Sequence, residues 1–576
     1  MTRFARRALS ALTATALLAG LLVGTPSAVR AAPNTQYVTI AGATYFGENA
    51  NECNSTVLRA DGTDDDEQAA LAVTAADGGR VFFCAGTYNF ARMVDSGDVE
   101  LVGAGADSTT ISGSNTTRIF GTESNVVLSG ITLRDAYSSD EGGAIFAYGT
   151  VNVTDAVFKD NFTLKGGGAI AAGGNVTVTD SVFSGNSTTD RGGAIATWGQ
   201  VIVHSSVFTD NSSIADENCV GGGGAIAAGD DVVADEGSTF TGNTAVLGEA
   251  TDVEQCNDAE IYGGRGGAVL TNEFGLIYDS TFSDNSALFG GGAIYALALG
   301  LVITDDVEGI IERSSFIGNT TTDLTTEEFG GAGNAVFQLN DDLYISGSSF
   351  SSNTGPGSAV MVAGGLDMED TGGTARVEDS VFTRNTGTYG GAIGAESVLV
   401  SGSTFTANSA TFSGGAITGQ DVSIDRSSFA GNTALRGGAV FYCAQSTISN
   451  SLFTRNVAES LRSIQINAGL GGAIAGYGNA LTLTANRFTG NRAGVAGGAV
   501  WLEQYGAESL ALMSGNRFTR NRAGRSGGAV GYNTLPVAGS VPSRSELRAA
   551  QRHNRFSRNL GGRGAQFGGF GVPTLD

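Results

Sequence analysis

The residue types that carry out acid–base or metal chemistry are scarce in this chain. Among 576 residues there are two histidines, His204 and His553, and two lysines, Lys159 and Lys165. Glycosidic hydrolysis requires two carboxylates flanking the scissile bond, and proton abstraction requires a positioned base. Several acidic pairs lie in stretches without regular periodicity and so do not build one catalytic group: Asp230-Asp231, Asp305-Asp306, Asp341-Asp342, and Asp367 with Glu369-Asp370.

Neither histidine falls beside a carboxylate cluster in the sequence. His204 stands where neighbouring copies of a repeat carry Asp or Thr, so we expect an exposed strand position for it. His553 falls in a late, irregular part of the repeat. We therefore predict no catalytic residue and no metal or cofactor site. Weak Ca²⁺ binding by the acidic loops is left open, since carboxylate oxygens are the ligands that Ca²⁺ takes.

The five cysteines favour an oxidising compartment over a metal site. No Cys-x-x-Cys pair occurs among Cys53, Cys84, Cys219, Cys256 and Cys443. The pairs Cys53–Cys84 and Cys219–Cys256 join positions that are near in sequence, although four cysteines allow three connectivities. Cys443 follows an apolar run within a repeat, and we expect it to be buried as a small apolar residue.

Charge is distributed unevenly along the chain. Residues 1–380 carry 49 acidic and 15 basic residues, a net charge of −34, and residues 381–576 carry 8 acidic and 17 basic residues, a net charge of +9. In the basic part, arginines flank a recurring Asn at Arg384, Arg455, Arg492, Arg520, Arg522 and Arg558, with Arg525 close by. If the repeats stack, these arginines would line up along one edge of the protein. Two interpretations are open: a solubilising face, or contact with an anionic partner.

The secondary structure that would hold these residues is indicated by a two-part repeat between about residues 140 and 560. The repeat is Gly-Gly-Ala-Ile/Val followed by Phe-x-x-Asn. Without insertions its period is 23 to 25 residues, which indicates stacked structural repeats. The second half recurs fourteen times, from Phe158–Asn161 to Phe556–Asn559. The first half begins at Gly142, Gly167, Gly192, Gly223, Gly266, Gly291, Gly390, Gly414, Gly437, Gly471, Gly497 and Gly527.

One copy predicts the fold. Between 167 and 191, three short segments alternate apolar with other residues: 169–171, 176–178 and 182–183. Each is bounded by residues typical of turns, and all are too short for helices. We predict an all-β protein, a single right-handed parallel β-helix from about Val38 to Asn559, with about eighteen coils and a length of roughly 85 Å at about 4.8 Å per coil.

Stacked coils give each repeated residue type a role. The Phe residues should form an interior aromatic stack. The Asn residues should form a ladder of side-chain amides hydrogen-bonded from coil to coil. The Gly-Gly pairs should mark a corner where no side chain fits.

The paired motifs resemble the repeats of the chlamydial polymorphic outer-membrane proteins, which secreted β-helix proteins of the pectate-lyase-like superfamily share. The resemblance covers roughly 140–560 and implies a surface or adhesion-type protein. A second resemblance precedes it. Asp61–Asp66, an Ala-rich stretch, Gly78–Phe83 and Ala85–Tyr88 resemble the start of a pectate-lyase-like β-helix. It implies a short capping helix, Glu67–Ala76, with Ala69, Ala70 and Val73 on its apolar side.

The first 31 residues have the pattern of a secretory signal peptide. Arg3, Arg6 and Arg7 precede an apolar run over 8–23, and Val29-Arg30-Ala31 is a small-x-small cleavage pattern. We expect a signal peptide over 1–31, the cap and first coils over 35–140, the repeats over 141–560 and a tail over 561–576. The mature chain should be extracellular, surface-associated or released, without a membrane span.

These observations favour a secreted, non-catalytic surface or adhesion-type protein that presents binding loops from a rigid rod. The alternative is a carbohydrate-active β-helix enzyme, a polysaccharide lyase or a glycoside hydrolase. Expected partners are a cell-surface glycan, a cell-wall polymer or a second copy of the chain. Nucleic acid is disfavoured by export and by a pI near 4.4. The best loop candidates are the insertions 249–262 and 460–468.

Overall fold

The chain forms a right-handed parallel β-helix in a computed structural model, which confirms the predicted fold class. The structure describes residues 35–38, 44–46, 65–76, 79–215, 221–248, 264–297, 308–322, 333–339, 342–364, 373–460, 468–477, 481–503, 512–533, 543–562 and 564–569. Each regular coil contributes one short strand to each of four columns, in which successive strands pair in parallel and in register.

The first column follows the Gly-Gly corner. Its strands are Val94–Asp95, Phe120–Thr122, Ile145–Ala147, Ile170–Ala172, Ile195–Thr197, Ile226–Asp235, Val269–Glu273, Ile294–Ala296, Val336–Leu339, Val360–Ala363, Ile393–Ala395, Ile417–Gly419, Val440–Tyr442, Ile474–Gly476, Val500–Leu502, Val530–Tyr532 and Phe567–Gly569.

The second column comes next in each coil and shares the long strand Ile226–Asp235 with the first. A short strand, Thr44–Phe46, pairs antiparallel with its first member. Its other strands are Thr35–Val38, Arg80–Phe83, Glu100–Gly103, Val126–Ser129, Val151–Thr154, Val176–Thr179, Val201–His204, Leu276–Tyr278, Glu308–Glu312, Asp342–Ser346, Thr374–Glu378, Ser397–Ser401, Asp421–Asp425, Ser446–Ser449, Leu481–Thr484 and Met513–Ser514.

The third column carries the repeated Phe and has seventeen described strands, close to the predicted coil number. They are Gly86–Asn89, Thr109–Ser112, Thr132–Arg134, Val157–Lys159, Val182–Ser184, Val207–Thr209, Thr239–Thr241, Thr281–Ser283, Ser315–Ile317, Ser349–Ser351, Val381–Thr383, Thr404–Thr406, Ser428–Ala430, Leu452–Thr454, Arg487–Thr489, Arg517–Thr519 and Arg555–Ser557.

The fourth column was not predicted, because the residues after the ladder Asn lack an apolar alternation. It forms two sheets, which are separated at residue 354. The strands are Tyr137–Ser138, Phe162–Thr163, Ser187–Thr188, Ser212–Ala215, Thr244–Leu247, Ser286–Ala287 and Thr320–Thr321, then Thr386–Tyr389, Ser409–Ser413, Thr433–Ala434, Val457–Ala458, Arg492–Ala493 and Arg522–Ala523.

The fourteen repeat Phe side chains stack in one continuous row inside the coils, as predicted. Ring centroids of neighbours lie 4.6–5.0 Å apart, with interplanar angles of 1–11°. The centroid spacing matches the distance between hydrogen-bonded strands. The backbone register therefore sets the ring stacking along the rod.

The Asn ladder is also present and leaves no amide group unpaired. Asn186 illustrates it: its Nδ2 donates to Oδ1 of Asn211 at 3.0 Å and to the carbonyl of Phe158 at 3.0 Å. Its Oδ1 accepts from Nδ2 and from the backbone N–H of Asn161. Both amide hydrogens and both acceptor positions are thus used in a fully buried side chain.

The Gly-Gly corner excludes side chains, as predicted. Gly167 has φ +77°, and a Cβ there would lie 2.1 Å from the carbonyl oxygen of Ile170. A Cβ on Gly168 would lie 2.0 Å from the carbonyl oxygen of Gly193, in the next coil. The first glycine adopts a positive φ that other residues rarely adopt, and the second permits a close approach between coils.

The amino-terminal cap is helix α1, Asp65–Ala76, two residues longer at its start than predicted. It buries Ala69, Ala72, Val73 and Ala76, the i, i+3, i+4, i+7 face. Ala70, expected on the apolar side, is exposed because it lies outside that face. The helix covers the open end of the first coils, where strand edges would otherwise be unpaired.

A second cap closes the other end and was not predicted. Helix α2, Arg544–His553, buries Leu547 and Ala550. Ser543 and Glu546 form a reciprocal capping box at its start, and this Ser-x-x-Glu pattern is visible in the sequence. His553, expected in an irregular coil, is the last residue of this helix. Beyond it, Phe567–Gly569 pairs with Val530–Tyr532, so part of the expected tail adds another strand.

The predicted disulfides remain predictions. Cys84 is buried beside Phe82 and Val102, while Cys53, Cys219 and Cys256 lie outside the described residues. The signal peptide over 1–31 and most of the two insertion loops, 249–262 and 460–468, also lie outside them. We predict that peptide mapping of the unreduced, exported protein will recover Cys53 joined to Cys84 and Cys219 joined to Cys256. A Cys53–Cys219 or Cys84–Cys256 peptide would contradict this connectivity.

Candidate functional site

An arginine column occupies the outer face of the third strand column at its carboxyl end. Arg487, Arg517 and Arg555 pair directly with one another in successive parallel strands. Each precedes the inward-facing Phe, so period-two alternation turns the arginine outward, and all three are exposed. Their backbones are spaced by about 4.8 Å per coil. We call these three residues the Arg column.

Two further arginine pairs border the Arg column. Arg492 and Arg522 face one another across paired strands of the fourth column. Arg520 and Arg558 occupy the same turn in successive coils, each with φ +56°. A non-glycine residue in this left-handed region costs about 1 kcal/mol. The equivalent turn carries glycine at Gly431 and Gly490, so the turn itself does not require an arginine side chain.

The predicted Arg edge is therefore present at the surface but is unevenly grouped. All seven predicted arginines are exposed. Arg384 is separated from Arg455 by two coils, whose equivalent turn residues are Ala407 and Gly431. Arg525 lies at the next corner, beyond the fourth column. The contiguous group is the Arg column with its neighbours, and the column itself was missed. The sequence pattern that could have predicted the column is the Arg-Phe dipeptide, which recurs in three successive coils.

Carboxylates do not neutralise this region. Within the described part of 481–569 there are eleven arginines and two carboxylates, Glu503 and Glu546. Glu503 is buried, and burial raises its pKa. Among the described residues, the ion pairs of the rod join none of the Arg column or its neighbours to a carboxylate. The surface is consequently strongly positive.

The structure places His204 differently from the sequence prediction. The residue is on a strand, as expected, but its side chain is only 29% exposed and lies beside carboxylates. Its Nδ1 is 2.5 Å from Oδ1 of Asp235, the residue paired with it in the next coil. A hydrogen bond from His204 to Asp235 raises the pKa of the imidazole. Glu236 completes a group whose donor atoms lie within 4.8 Å of one another.

Of the acidic residues singled out in the sequence, six lie outside the described residues: Asp305, Asp306, Asp341, Asp367, Glu369 and Asp370. Asp231, expected in an irregular stretch, lies within the long strand Ile226–Asp235; burial raises its pKa, and it accepts a 2.6 Å hydrogen bond from Gln200. The repeated aspartates have a conformational role, since they occupy one turn position with φ between +46° and +49°. They are Asp155, Asp180, Asp279 and Asp379.

A groove on the first column was not predicted. Its floor is formed by Ala171, Ala196 and Ala227 on successive strands, and Trp198 stands at one side, 76% exposed. Asp190 and Arg191 lie at the groove as well, and the cavity measures about 240 Å³. Small residues at three consecutive outward positions create it. The sequence signal was Trp198, one of two tryptophans in the chain.

Cys443 corrects another expectation. Val440 and Tyr442 face inward, and Cys443 follows them with its side chain exposed. Since Val440 and Tyr442 face inward, period-two alternation places the next residue outward. The thiol is thus a surface group instead of a core residue.

Comparison with protein families identifies the repeat. The profile of the Chlamydia polymorphic membrane protein (Chlamydia_PMP) repeat matches residues 180–197 and 279–297. These two segments are therefore similar to polymorphic-membrane-protein repeats. Each match runs from the turn before a repeat Phe, through the ladder Asn and the following Gly-Gly corner, and includes the next first-column strand. The matched segments and the described coils together confirm the predicted resemblance to β-helix proteins with such repeats.

Solved structures of low identity are also similar to the chain. The catalytic unit of a thermostable GH87 α-1,3-glucanase from Streptomyces thermodiastaticus is 12% identical, with 89% of this chain and 67% of that chain covered and a TM-score of 0.26. The Agl-KA catalytic domain is 14% identical, with 87% and 66% covered and a TM-score of 0.26. The A-module of the Azotobacter vinelandii mannuronan C-5 epimerase AlgE6 is 15% identical, with 68% and 95% covered and a TM-score of 0.24.

At these identities and TM-scores, the structural matches carry no argument about activity. No curated protein sequence matches the chain significantly. Among the described residues, no helix is long and apolar enough to cross a membrane. We therefore infer the function from the surface of this rod.

Proposed function

We propose that the chain is an exported, non-catalytic surface or adhesion-type β-helix protein whose carboxyl-terminal coils bind an anionic polymer. The observation that carries the proposal is the Arg column, in which Arg487, Arg517 and Arg555 are exposed on directly paired strands. The repeats matched by the polymorphic membrane protein profile support the surface assignment.

Electrostatics favour an anionic partner over simple solvation. Like charges directly opposite each other on paired strands are destabilising. At a separation of about 5 Å in water, two unit charges repel by roughly 0.8 kcal/mol. Anions placed between or along the guanidinium groups remove this repulsion, and each guanidinium offers several donors to carboxylate or phosphate oxygens. A polymer with regularly repeated charges fits a column with a regular repeat.

The rigid scaffold makes the column an effective binding surface. Phe488 and Phe518 stack at 4.8 Å directly beneath the outward arginines, and Asn491 and Asn521 hydrogen-bond at 3.0 Å beside them. These interior contacts hold the strands in register. Binding then requires ordering of the arginine side chains but not of the backbone, which lowers its entropic cost.

Replacing the Arg column with serine should weaken polymer binding without unfolding the rod. Serine already occupies the equivalent strand position at Ser315, Ser349 and Ser428, so R487S/R517S/R555S should fold normally. Pull-down with immobilised polyuronate and polyphosphate at 0.1 M salt should retain the wild type and lose most of the variant. At 1 M salt the wild type should also be released, because the Debye length falls from about 10 Å to about 3 Å.

Self-association is the competing outcome of the same experiment. The turn that carries Arg520 and Arg558 carries Asp160, Asp210 and Asp284 nearer the amino terminus, so two copies could pair opposite charges. Light scattering of the wild type at low salt distinguishes self-association from polymer binding. Salt-sensitive oligomers without retention on either polymer would replace the polymer with a second copy. A monomer that neither polymer retains would contradict the proposed function.

A carbohydrate-active enzyme is the second candidate, and the groove beside Trp198 is the observation that favours it. An exposed indole ring suits the apolar face of a sugar, and Asp190 lines the same groove. Incubation with pectate, alginate and α-glucans, followed by absorbance of unsaturated products and a reducing-sugar assay, tests it. We expect no turnover. Turnover that Trp198→Ala abolishes would make this groove an active site.

A further inference from the structure

The cluster of His204, Asp235 and Glu236 lies far from the Arg column and is independent of the proposed polymer binding. His204 and Asp235 end paired segments of the second column in successive coils. Glu236 follows in the turn, with φ +53°, which directs the chain around the corner beside them. One atom from each side chain, an imidazole nitrogen and two carboxylate oxygens, lies within 4.8 Å of the other two.

Asp235 is the buried member of this cluster. The residue is 5% exposed, on the outside of a rod whose other repeated carboxylates at this edge are solvated. A buried carboxylate is costly unless it is paired or coordinates a cation. Among the described residues, the hydrogen bond with His204 is the only side-chain hydrogen bond of the Asp235 carboxylate. Negative charge on Glu236 and Asp180 adds to the negative potential around the imidazole.

We propose that these three residues bind one divalent transition-metal ion of the Zn²⁺ class, which links two successive coils. An imidazole nitrogen with carboxylate oxygens is a donor set for such ions, whereas Ca²⁺ takes six to eight oxygens. Three protein ligands leave a fourth position for water.

The geometry requires only side-chain movement. Ligand bonds of about 2.0–2.2 Å place tetrahedral donors roughly 3.3 Å apart. The 2.5 Å contact between His204 and Asp235 would therefore open by about 0.8 Å. His204 is partly exposed and Glu236 is exposed, so both can rotate, while the paired strands fix the position of Asp235. The ion takes the place of the imidazole proton that His204 donates to Asp235, and that proton is released to solvent.

The chain offers a matched control, because its only other histidine is His553 at the end of α2. Untagged protein, stripped with chelator, is titrated with ZnCl₂ by calorimetry. We expect one ion per wild-type chain and the same for His553→Asn. His204→Asn and Glu236→Gln should each weaken binding at least tenfold. Zinc should also raise the Tm of the wild type and of His553→Asn, but not that of His204→Asn.

Nuclear magnetic resonance provides a readout that a structural role alone would not give. With two histidines, the imidazole signals are few, and zinc should shift those of His204 and leave those of His553 unchanged. Absence of binding to the wild type, or binding that His204→Asn retains, would overturn the proposal. Equal weakening by His204→Asn and His553→Asn would also overturn it, since that result indicates non-specific uptake.

Discussion

Replacing Phe183 with alanine should lower the free energy of unfolding by about 3–5 kcal/mol. Phe183 is fully buried, and its ring centroid lies 4.6 Å from that of Phe158 and 4.7 Å from that of Phe208. Removing it opens a cavity that the stacked neighbours cannot fill, because paired strands fix their positions. Urea denaturation followed by far-ultraviolet circular dichroism measures the loss.

The control for this substitution is Phe412→Ala. Phe412 is 45% exposed on the fourth column, where it stacks on Tyr389 with centroids 5.5 Å apart. Its loss should cost about 1 kcal/mol, in line with an exposed aromatic pair. Comparable losses at Phe183 and Phe412 would show that the interior row is not the main source of packing energy.

Replacing Asn186 with alanine should lower the free energy of unfolding by about 1–3 kcal/mol. The loss arises because buried hydrogen-bonding groups are left without a partner, and not mainly from a cavity. The carbonyl of Phe158 and Oδ1 of Asn211 would each lose a donor. The amide groups of Asn161 would lose their acceptor. Asn152, an exposed residue of strand Val151–Thr154, is the matched control, and Asn152→Ala should be near neutral. If Asn186→Ala is equally neutral, the ladder does not stabilise the rod.

The parts of the fold that could be predicted from the sequence are those in which the same residue type occupies the same position in successive coils. Phe, Asn and Gly recur at fixed spacing because each occupies one environment, an interior row, a buried ladder or a tight corner, that admits little else. A second ladder escaped notice because its residues are common ones. The Oγ atoms of Ser181, Ser206 and Ser238 each accept from the backbone N–H one coil earlier, and Asn486 and Asn516 later take over this role.

The features that the sequence did not predict depend on distances between coils. His204 and Asp235 are 31 residues apart, and an insertion between their coils hides the register that brings them into contact. The Ala floor beneath Trp198 depends on outward positions in three coils. The Arg column depends on which face of the sheet each strand residue occupies, and helix α2 takes the place of a second-column strand between Val530–Tyr532 and Arg555–Ser557. The residue pattern predicts the coil, whereas the arrangement of side chains on the surface depends on the register between coils.

We attribute polymer binding to the position of the arginines rather than to the net charge of the rod, and a comparison of two triple variants tests this. The variant R134S/R313S/R426S removes the same charge from exposed arginines that already contact carboxylates, Asp135, Asp279 and Asp425. Binding of polyuronate and polyphosphate at 0.1 M salt is titrated for the wild type, this variant and R487S/R517S/R555S. At about 0.5 kcal/mol per exposed contact, the column variant should bind at least tenfold more weakly. The scattered variant should remain within about twofold of the wild type, and equal losses in the two variants would contradict a site at the Arg column.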